Sequence, residues 1–385
     1  MEKSGIYIHI PFCAGKCVYC DFFSAGVSQA DWPRYVRALL NELEERKNEL
    51  RGDLSTLYIG GGTPSLMDGE AFAEMAEGIR RITEKRDSWE EFTIEVNPED
   101  VNEARCIEWR LCGVNRISMG VQSFVDSELR SVRRRHDSRK AIAAAKLLRK
   151  HFDNISLDLI FGLPGQIIES WKESVETALS LNPDHISAYS MMLEPGTPLT
   201  VLAEQGRVVL PDENTNVEMF RYLTEHLSTR GYVQYEISNY ARVGYESRHN
   251  RRYWLGNPYI GLGPGAHSYD GERIRRSNPT QLREYLERFD TSNSSRDGET
   301  PPFYKEEVLT DDELMEERIM LAMRTREGLD MKAFSLRFGE EAGRAVMQSS
   351  ITLAKQKLVE NNNGHVRLTP EGVMLSDDVI LRLVP

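Results

Sequence analysis

IYIHIPFCAGKCVYC, residues 6–20, is the stretch on which the reading of the fold turns. Isoleucine at positions 6, 8 and 10, alternating with tyrosine and histidine, reads as a strand. Immediately after it come Cys13, Cys17 and Cys20, three of the five cysteines in the chain. A structural zinc site normally takes four ligands, often from paired CxxC knuckles. Here the spacing is CxxxCxxC, and Cys106 and Cys112 lie far along the chain. His9 could supply a fourth ligand, but it falls on the expected strand. Iron–sulfur cubanes are held by cysteine thiolates, usually four. Three thiolates would hold three irons and leave the fourth to an outside ligand. Gly15 helps such a loop turn, because it tolerates positive φ. On spacing alone, the cluster and the zinc site both remain open.

Working outward, strand-like segments occur at 6–10, 56–60, 92–96, 115–119, 156–160 and 185–190, with helical patterns between them. Trp32, Tyr35, Val36, Leu39, Leu40 and Leu43 fall on one helix face, with Asp31 expected as N-cap and Pro33 in the first turn. Asp68 is expected to cap a helix burying Phe72, Met75, Ala76 and Ile79, and Trp171, Val175, Ala178 and Leu179 mark a third. Strands alternating with helices imply parallel βα units, an α/β sheet or partial barrel. Ligands in such folds collect at the carboxyl ends of the strands. The unusual residues fall there: the cysteine loop, GGGTPS (60–65), Glu95 and Asn97, Gln122, and GLPGQ (162–166). Glycines after a strand either bring backbone amides close to a ligand or make a tight turn. GGGTPS lacks the GK[ST] ending of a P-loop.

After residue 200 a helix is expected around 214–230, then a strand in 232–241, then the Gly- and aromatic-rich RHNRRYWLGNPYIGLGPGAHSY (248–269). Residues 290–304 read as a linker. Residues 305–385 read as a small winged-helix-like unit with 11 Lys/Arg against 15 Asp/Glu, a balance of −4, which disfavours DNA reading. The whole chain of 385 residues carries −12, which argues against nucleic acid or an anionic membrane as the main partner. No stretch approaches the roughly 20 apolar residues of a membrane span, and the N-terminal apolar run is too short and broken for a signal peptide. The chain is expected in the cytoplasm, where clustered cysteines bind metal or catalyse rather than form disulfides.

CxxxCxxC after the first strand, with a glycine-rich segment after the second, resembles the radical S-adenosylmethionine (SAM) superfamily. IYIHIPFC, YCDF, GGGTPS, IEVNP, RISMGVQSF, LDLIFGLPGQ, HNRRYW and YIGLGPGAHSY follow in order over residues 6–269. Together they resemble the oxygen-independent coproporphyrinogen III oxidase family and, within it, its heme chaperone branch. The resemblance implies a partial (β/α)6-type barrel with an extension carrying HNRRYW over residues 1–289, followed by a C-terminal winged-helix-like domain. It implies a [4Fe-4S] cluster on Cys13, Cys17 and Cys20, with SAM on the fourth iron and an electron donor for the cluster. By matching position, it implies SAM contacts at Tyr7, Tyr19, Gly61, Gly62, Thr63, Glu95, Gln122, Arg134 and Asp158. Several of these touch a second SAM in the oxidase. Apart from the resemblance, the carboxylates read as strand-end groups satisfied by backbone amides, and Gln122 and Arg134 as ordinary polar residues.

Two features depart from the oxidase. Its pattern continues Cys-x-Cys, whereas Cys20 is followed by Asp21 and Phe22; and the chain begins five residues before IYIHI, whereas the oxidase carries an N-terminal extension. HNRRYW (249–254) instead marks the chaperone branch. The resemblance makes His249 the candidate axial ligand for heme, with His267 second. Imidazole commonly ligates heme iron, arginines pair with propionates and aromatic rings pack on the macrocycle. Without the resemblance, both histidines read as ordinary polar or structural residues. The expected function is to bind heme and pass it to acceptor hemoproteins, the cluster and SAM supporting transfer or homodimer formation. The alternative is radical decarboxylation of coproporphyrinogen III; a winged-helix regulator is disfavoured by the acidic tail unit.

Overall fold

The structure is a computed structural model that describes residues 3–26, 31–290 and 302–385. Six parallel strands lie side by side in chain order: β1 (Lys3–Ile10), β2 (Asp53–Gly61), β3 (Glu91–Val96), β4 (Arg116–Gln122), β5 (Ile155–Phe161) and β6 (His185–Ser190). The intervening helices are α1 (Asp31–Arg46), α2 (Gly69–Ile82), α3 (Glu103–Leu111), α4 (Asp126–Ser131), α5 (Ser138–Leu148) and α6 (Ile168–Ser180). The expected elements are present, most of them one to three residues longer. Asp68 caps α2 by accepting from the Ala71 N–H at 2.8 Å. The apolar stripe of α1 is buried from Trp32 to Leu43, although the residues just before Asp31 lie outside the described ones.

Alternate residues on these strands face opposite ways. One set, including Ile6, Ile8, Ile59, Ile94, Ile117, Met119 and Leu157, packs under the helices in the main core. The other set is polar. Tyr7 pairs with Tyr58, Glu95 with Ser118, Ser118 with Ser156, and Asp158 with Ser187. Barrel interiors are normally filled by branched apolar side chains, so a polar lumen marks a site rather than a core.

After β6, α7 (Pro198–Glu204) and α8 (Glu213–Thr229) lead to β7 (Val233–Glu236) and β8 (Asn239–Ala241). The expected single strand at 232–241 is thus a hairpin, and β8 pairs antiparallel with β6. α9 (Arg248–Leu255) carries the HNRRYW segment, and β9 (Tyr259–Leu262) joins the free edge of β1 in parallel. β10 (His267–Tyr269), β11 (Ile274–Ser277) and β12 (Lys305–Val308) extend that edge, with α10 (Leu282–Phe289) between the last two. β12 hydrogen-bonds to β11, so the main sheet reaches past the expected start of the C-terminal unit. Most of the expected linker, residues 291–301, lies outside the described residues. Helices 311–323, 331–338 and 340–355 and a small three-stranded sheet then pack around a second core, which includes Ile319, Phe334, Val346 and Val366.

α9 closes the amino end of the barrel. Glu91 at the start of β3 is 2% exposed, and its carboxylate accepts from the Arg248 and His249 N–H groups at 2.7 and 2.9 Å. An anion at a helix N-terminus satisfies orphan donors and the dipole together. Arg252 donates from Nε to Thr56 Oγ1 at 3.0 Å and also bonds Ser55 and the Lys3 carbonyl. Replacing Glu91 with Ala strands the buried His249 N–H, so the unfolding free energy should fall by about 1–3 kcal/mol. Chemical denaturation reads this directly; an unchanged midpoint contradicts the role given to Glu91.

Candidate cofactor site

The cysteine loop leaves β1 at Pro11 and is pinned on both sides. Cys13 N–H donates to the Ala25 carbonyl at 3.0 Å, and Ala25 N–H to the Pro11 carbonyl at 2.6 Å. Val18, 2% exposed, anchors the loop among Val132, Ile160, Leu163 and Leu199. All three thiols are free and partly exposed, and burial pushes the Cys20 thiol up. Thr63 Oγ1 donates to Cys13 Sγ at 3.4 Å, and Arg134 places Nη1 3.6 Å from Cys17 Sγ.

Beneath the loop lies a cavity of about 370 Å³. Its lining takes in Cys13, Cys17, Cys20, Tyr19, Gly61, Gly62, Thr63, Glu95, Gln122, Arg134 and Asp158. Residues from the loop and from strands β2 to β5 therefore converge on one space. Tyr7, expected to touch SAM, is not among the lining residues; its hydroxyl is bonded to His9 Nδ1 at 3.1 Å. GLPGQ does not reach the cavity lining. Gln166 instead closes its own turn, accepting from Gly162 and Leu163 N–H and donating to Glu128.

The glycines have two duties. A Cβ on Gly62 would stand 2.4 Å from the Phe12 carbonyl, and one on Gly61, at φ +109°, 2.8 Å from the His9 ring. Chain packing alone thus requires glycine, and the same bare backbone faces the cavity. Gln122 follows a bulge in β4 and sits at φ +69°, uncommon for a side-chain-bearing residue. Arg134 donates to Asn97 Oδ1 at 2.7 Å and to the Gly120 carbonyl at 2.5 Å. Glu95 accepts from the Tyr58 hydroxyl at 2.8 Å and the Gly61 N–H at 3.1 Å. Burial pushes its carboxyl up to about 7 despite these donors, with the Asp158 charge adding to the shift. Asp158, bonded by Ser118 and Ser156, is likewise raised by burial. Two lining residues went unremarked in the sequence. Tyr58 positions Glu95, and Arg116, 1% exposed, has no partner for its Nε. Their only signal was polarity on the inward half of a strand's alternation.

His249 departs from expectation. It is on a helix, 0% exposed, with Nδ1 2.9 Å from Thr56 Oγ1 and Nε2 2.8 Å from the Tyr253 hydroxyl. Burial, aided by Arg252, lowers its pKa to about 3, so the ring is neutral. In this arrangement it has no free nitrogen for iron. Arg252 is buried and bonded to protein, whereas Arg251 and Arg248 make surface ion pairs with Glu327 at 2.8 Å and Glu90 at 3.3 Å. His267 is exposed on β10.

Three soft thiols opening on a polar cavity suit an iron–sulfur cubane with one iron left over. His9, the candidate fourth ligand of a zinc site, has both nitrogens engaged, by Tyr7 and the Phe23 carbonyl. A partial barrel with this loop over its first strand is the arrangement of the radical SAM superfamily, whose family model matches residues 7–178. The HemN C-terminal domain model matches residues 309–375. The Heme chaperone HemW of Bacillus subtilis (strain 168) is 34% identical, covering 97% of this chain and 97% of its own. That of Escherichia coli (strain K12) is 39% identical over 72% of this chain and 73% of its own. The solved coproporphyrinogen III oxidase (HemN) from Escherichia coli superposes with a TM-score of 0.83 at 23% identity, covering all of this chain and 90% of that one. The chain belongs to the HemW family of radical SAM proteins. Among the described residues no helix is long and apolar enough to cross a membrane.

Membership in the superfamily implies the cluster and SAM. Cys13, Cys17 and Cys20 would hold the first, and the Gly61–Thr63 backbone, Glu95 and Asp158 would face the second. Bound, the pair supplies one-electron chemistry; the chain's residues shape the cavity, orient its contents and exclude water. Because folded Glu95 holds its proton more tightly than unfolded Glu95, the stability it contributes is present at low pH and lost as pH rises through about 7. Glu95→Gln should therefore raise the melting temperature at pH 8 more than at pH 5, and weaken SAM binding. Equal shifts at both pH values contradict the assignment.

Proposed function

We propose that this chain binds heme and hands it to acceptor hemoproteins in the cytoplasm, the cluster and SAM supporting transfer or homodimer formation and a separate donor supplying electrons. The carrying observation is the residue after Asp21. Where the oxidase pattern places a further cysteine, this chain places Phe22, 60% exposed at the cavity mouth. A cysteine there would add a soft donor and a reactive thiol beside the cluster; a phenyl ring adds neither. The heme-chaperone names of the relatives support the same reading. His249 is the proposed axial ligand, and to serve it must leave Thr56 and Tyr253.

Anaerobic hemin titration tests the reading. Wild-type protein should develop a Soret band. His249→Ala should shift that band and release heme more readily, whereas His267→Ala should not. Incubation with SAM, reductant and coproporphyrinogen III should leave the porphyrinogen unchanged. Conversion to protoporphyrinogen IX at a catalytic rate would replace the carrier with the oxidase.

A further inference from the structure

The HNRRYW helix is the floor of the cavity whose roof is the cysteine loop. Asn250 lines that cavity from below, in the same space as Cys13, Cys17 and Cys20. Its neighbour His249 packs its ring on Tyr58, with centroids 5.2 Å apart and planes 31° from parallel, and more loosely on Tyr7 at 6.4 Å. The Tyr58 hydroxyl donates to Glu95 Oε1 at 2.8 Å, and Glu95 Oε2 accepts from the Gly61 N–H at 3.1 Å. A continuous line of contacts therefore runs from His249 through Tyr58 and Glu95 to the glycine segment.

This line is held in register from below. Thr56 Oγ1 lies within hydrogen-bond distance of both His249 Nδ1 and Arg252 Nε, and Glu91 grips the first turn of the helix. The histidine also needs Gly5 beside it: a Cβ there would stand 2.6 Å from Thr56 Oγ1 and 3.2 Å from His249 Cε1. A fully buried, neutral ring with both nitrogens bonded has one well-defined position, and so has the tyrosine lying on it.

We propose that His249 and Tyr58 are positioning residues for Glu95 in the SAM site, so that drawing His249 away to a heme iron lowers the affinity for SAM. Withdrawal leaves a void under Tyr58 and frees its hydroxyl from Glu95. By linkage, bound SAM must weaken heme binding by the same factor. The heme half of the inference rests on the carrier reading; the positioning half does not.

The test uses full-length, cluster-reconstituted protein under anaerobic conditions, with SAM affinity read by equilibrium dialysis and by the change SAM makes in the electron paramagnetic resonance spectrum of the reduced cluster. His249→Ala and Tyr58→Phe should each weaken SAM by roughly 5- to 150-fold, the usual range of coupling between sites, with iron content unchanged. The double variant should lose little more than either single one, because both act through one contact line. His249→Gln keeps a polar group opposite Thr56 and should recover most of the affinity. If His249→Ala fails to fold, Tyr58→Phe and His249→Gln carry the test. Wild-type SAM affinity in folded Tyr58→Phe, or strictly additive losses, overturns the positioning role. Saturating hemin should raise the SAM dissociation constant of wild-type protein; heme that binds without altering it overturns the coupling alone. Failure of wild-type protein to bind hemin at all overturns the carrier reading and the coupling, and leaves the positioning role to the SAM arms.

Discussion

The close approach of the β2 end to the β1 end governs the rest of the site. Gly62 donates to the Ile10 carbonyl at 2.7 Å, and no side chain fits between it and the Phe12 carbonyl. Phe12 immediately precedes Cys13, so the glycine segment sets the height of the cysteine loop above the barrel. Thr63 then reaches the first thiol, and Gly61 offers its N–H to Glu95. Any β-carbon at position 62 displaces the cysteine loop as well as whatever faces the glycines. Those two functions are fused by the packing of two strands.

Below that contact, polar lumen side chains replace the aliphatic layers of an ordinary barrel. Buried ionisable groups are tolerable only when hydrogen-bonded or held neutral. Asp158 meets that condition through Ser118 of the neighbouring strand and Ser156 of its own, Glu95 through Tyr58 and Gly61, and His249 by remaining neutral. Arg116, whose Nε has no hydrogen-bond partner, is offset instead by the nearby charges of Glu91 and Asp158. Stability of the lumen comes from the opposite faces of the same strands, where isoleucine, leucine and methionine pack under the helices. The division lets one sheet serve as core on one side and as a binding cavity on the other.

Much of this was legible in sequence because it is local. The strand alternation at 6–10, the Asp68 cap, the apolar stripe of α1 and the spacing of the three cysteines each follow from neighbouring residues. The convergence of Glu95 and Gln122 on the cysteine loop followed from one topological rule, that ligands gather at the carboxyl edge; Asp158 came only with the family resemblance. Long-range returns of the chain were not legible. The seven polar and aromatic residues at 248–254 show no apolar stripe, and nothing near them announces that they fold back under strands more than 150 residues earlier. His249 therefore read as an ordinary polar residue when it is fully buried on a helix. GLPGQ sits at the right edge but spends Gln166 on its own turn. The strand expected at 232–241 turns back on itself, and β12 joins a sheet from which the intervening linker seemed to separate it.

The account stands or falls on the fourth position of the cluster. Protein reconstituted with iron-57 can be measured by Mössbauer spectroscopy with and without SAM. Three thiolates from Cys13, Cys17 and Cys20 leave one iron of a cubane to the cofactor. The account predicts about four irons per chain, one of which changes its isomer shift and quadrupole splitting when SAM is added while the other three keep theirs. Four irons that all ignore SAM, or a site that takes up zinc and no iron, would contradict it.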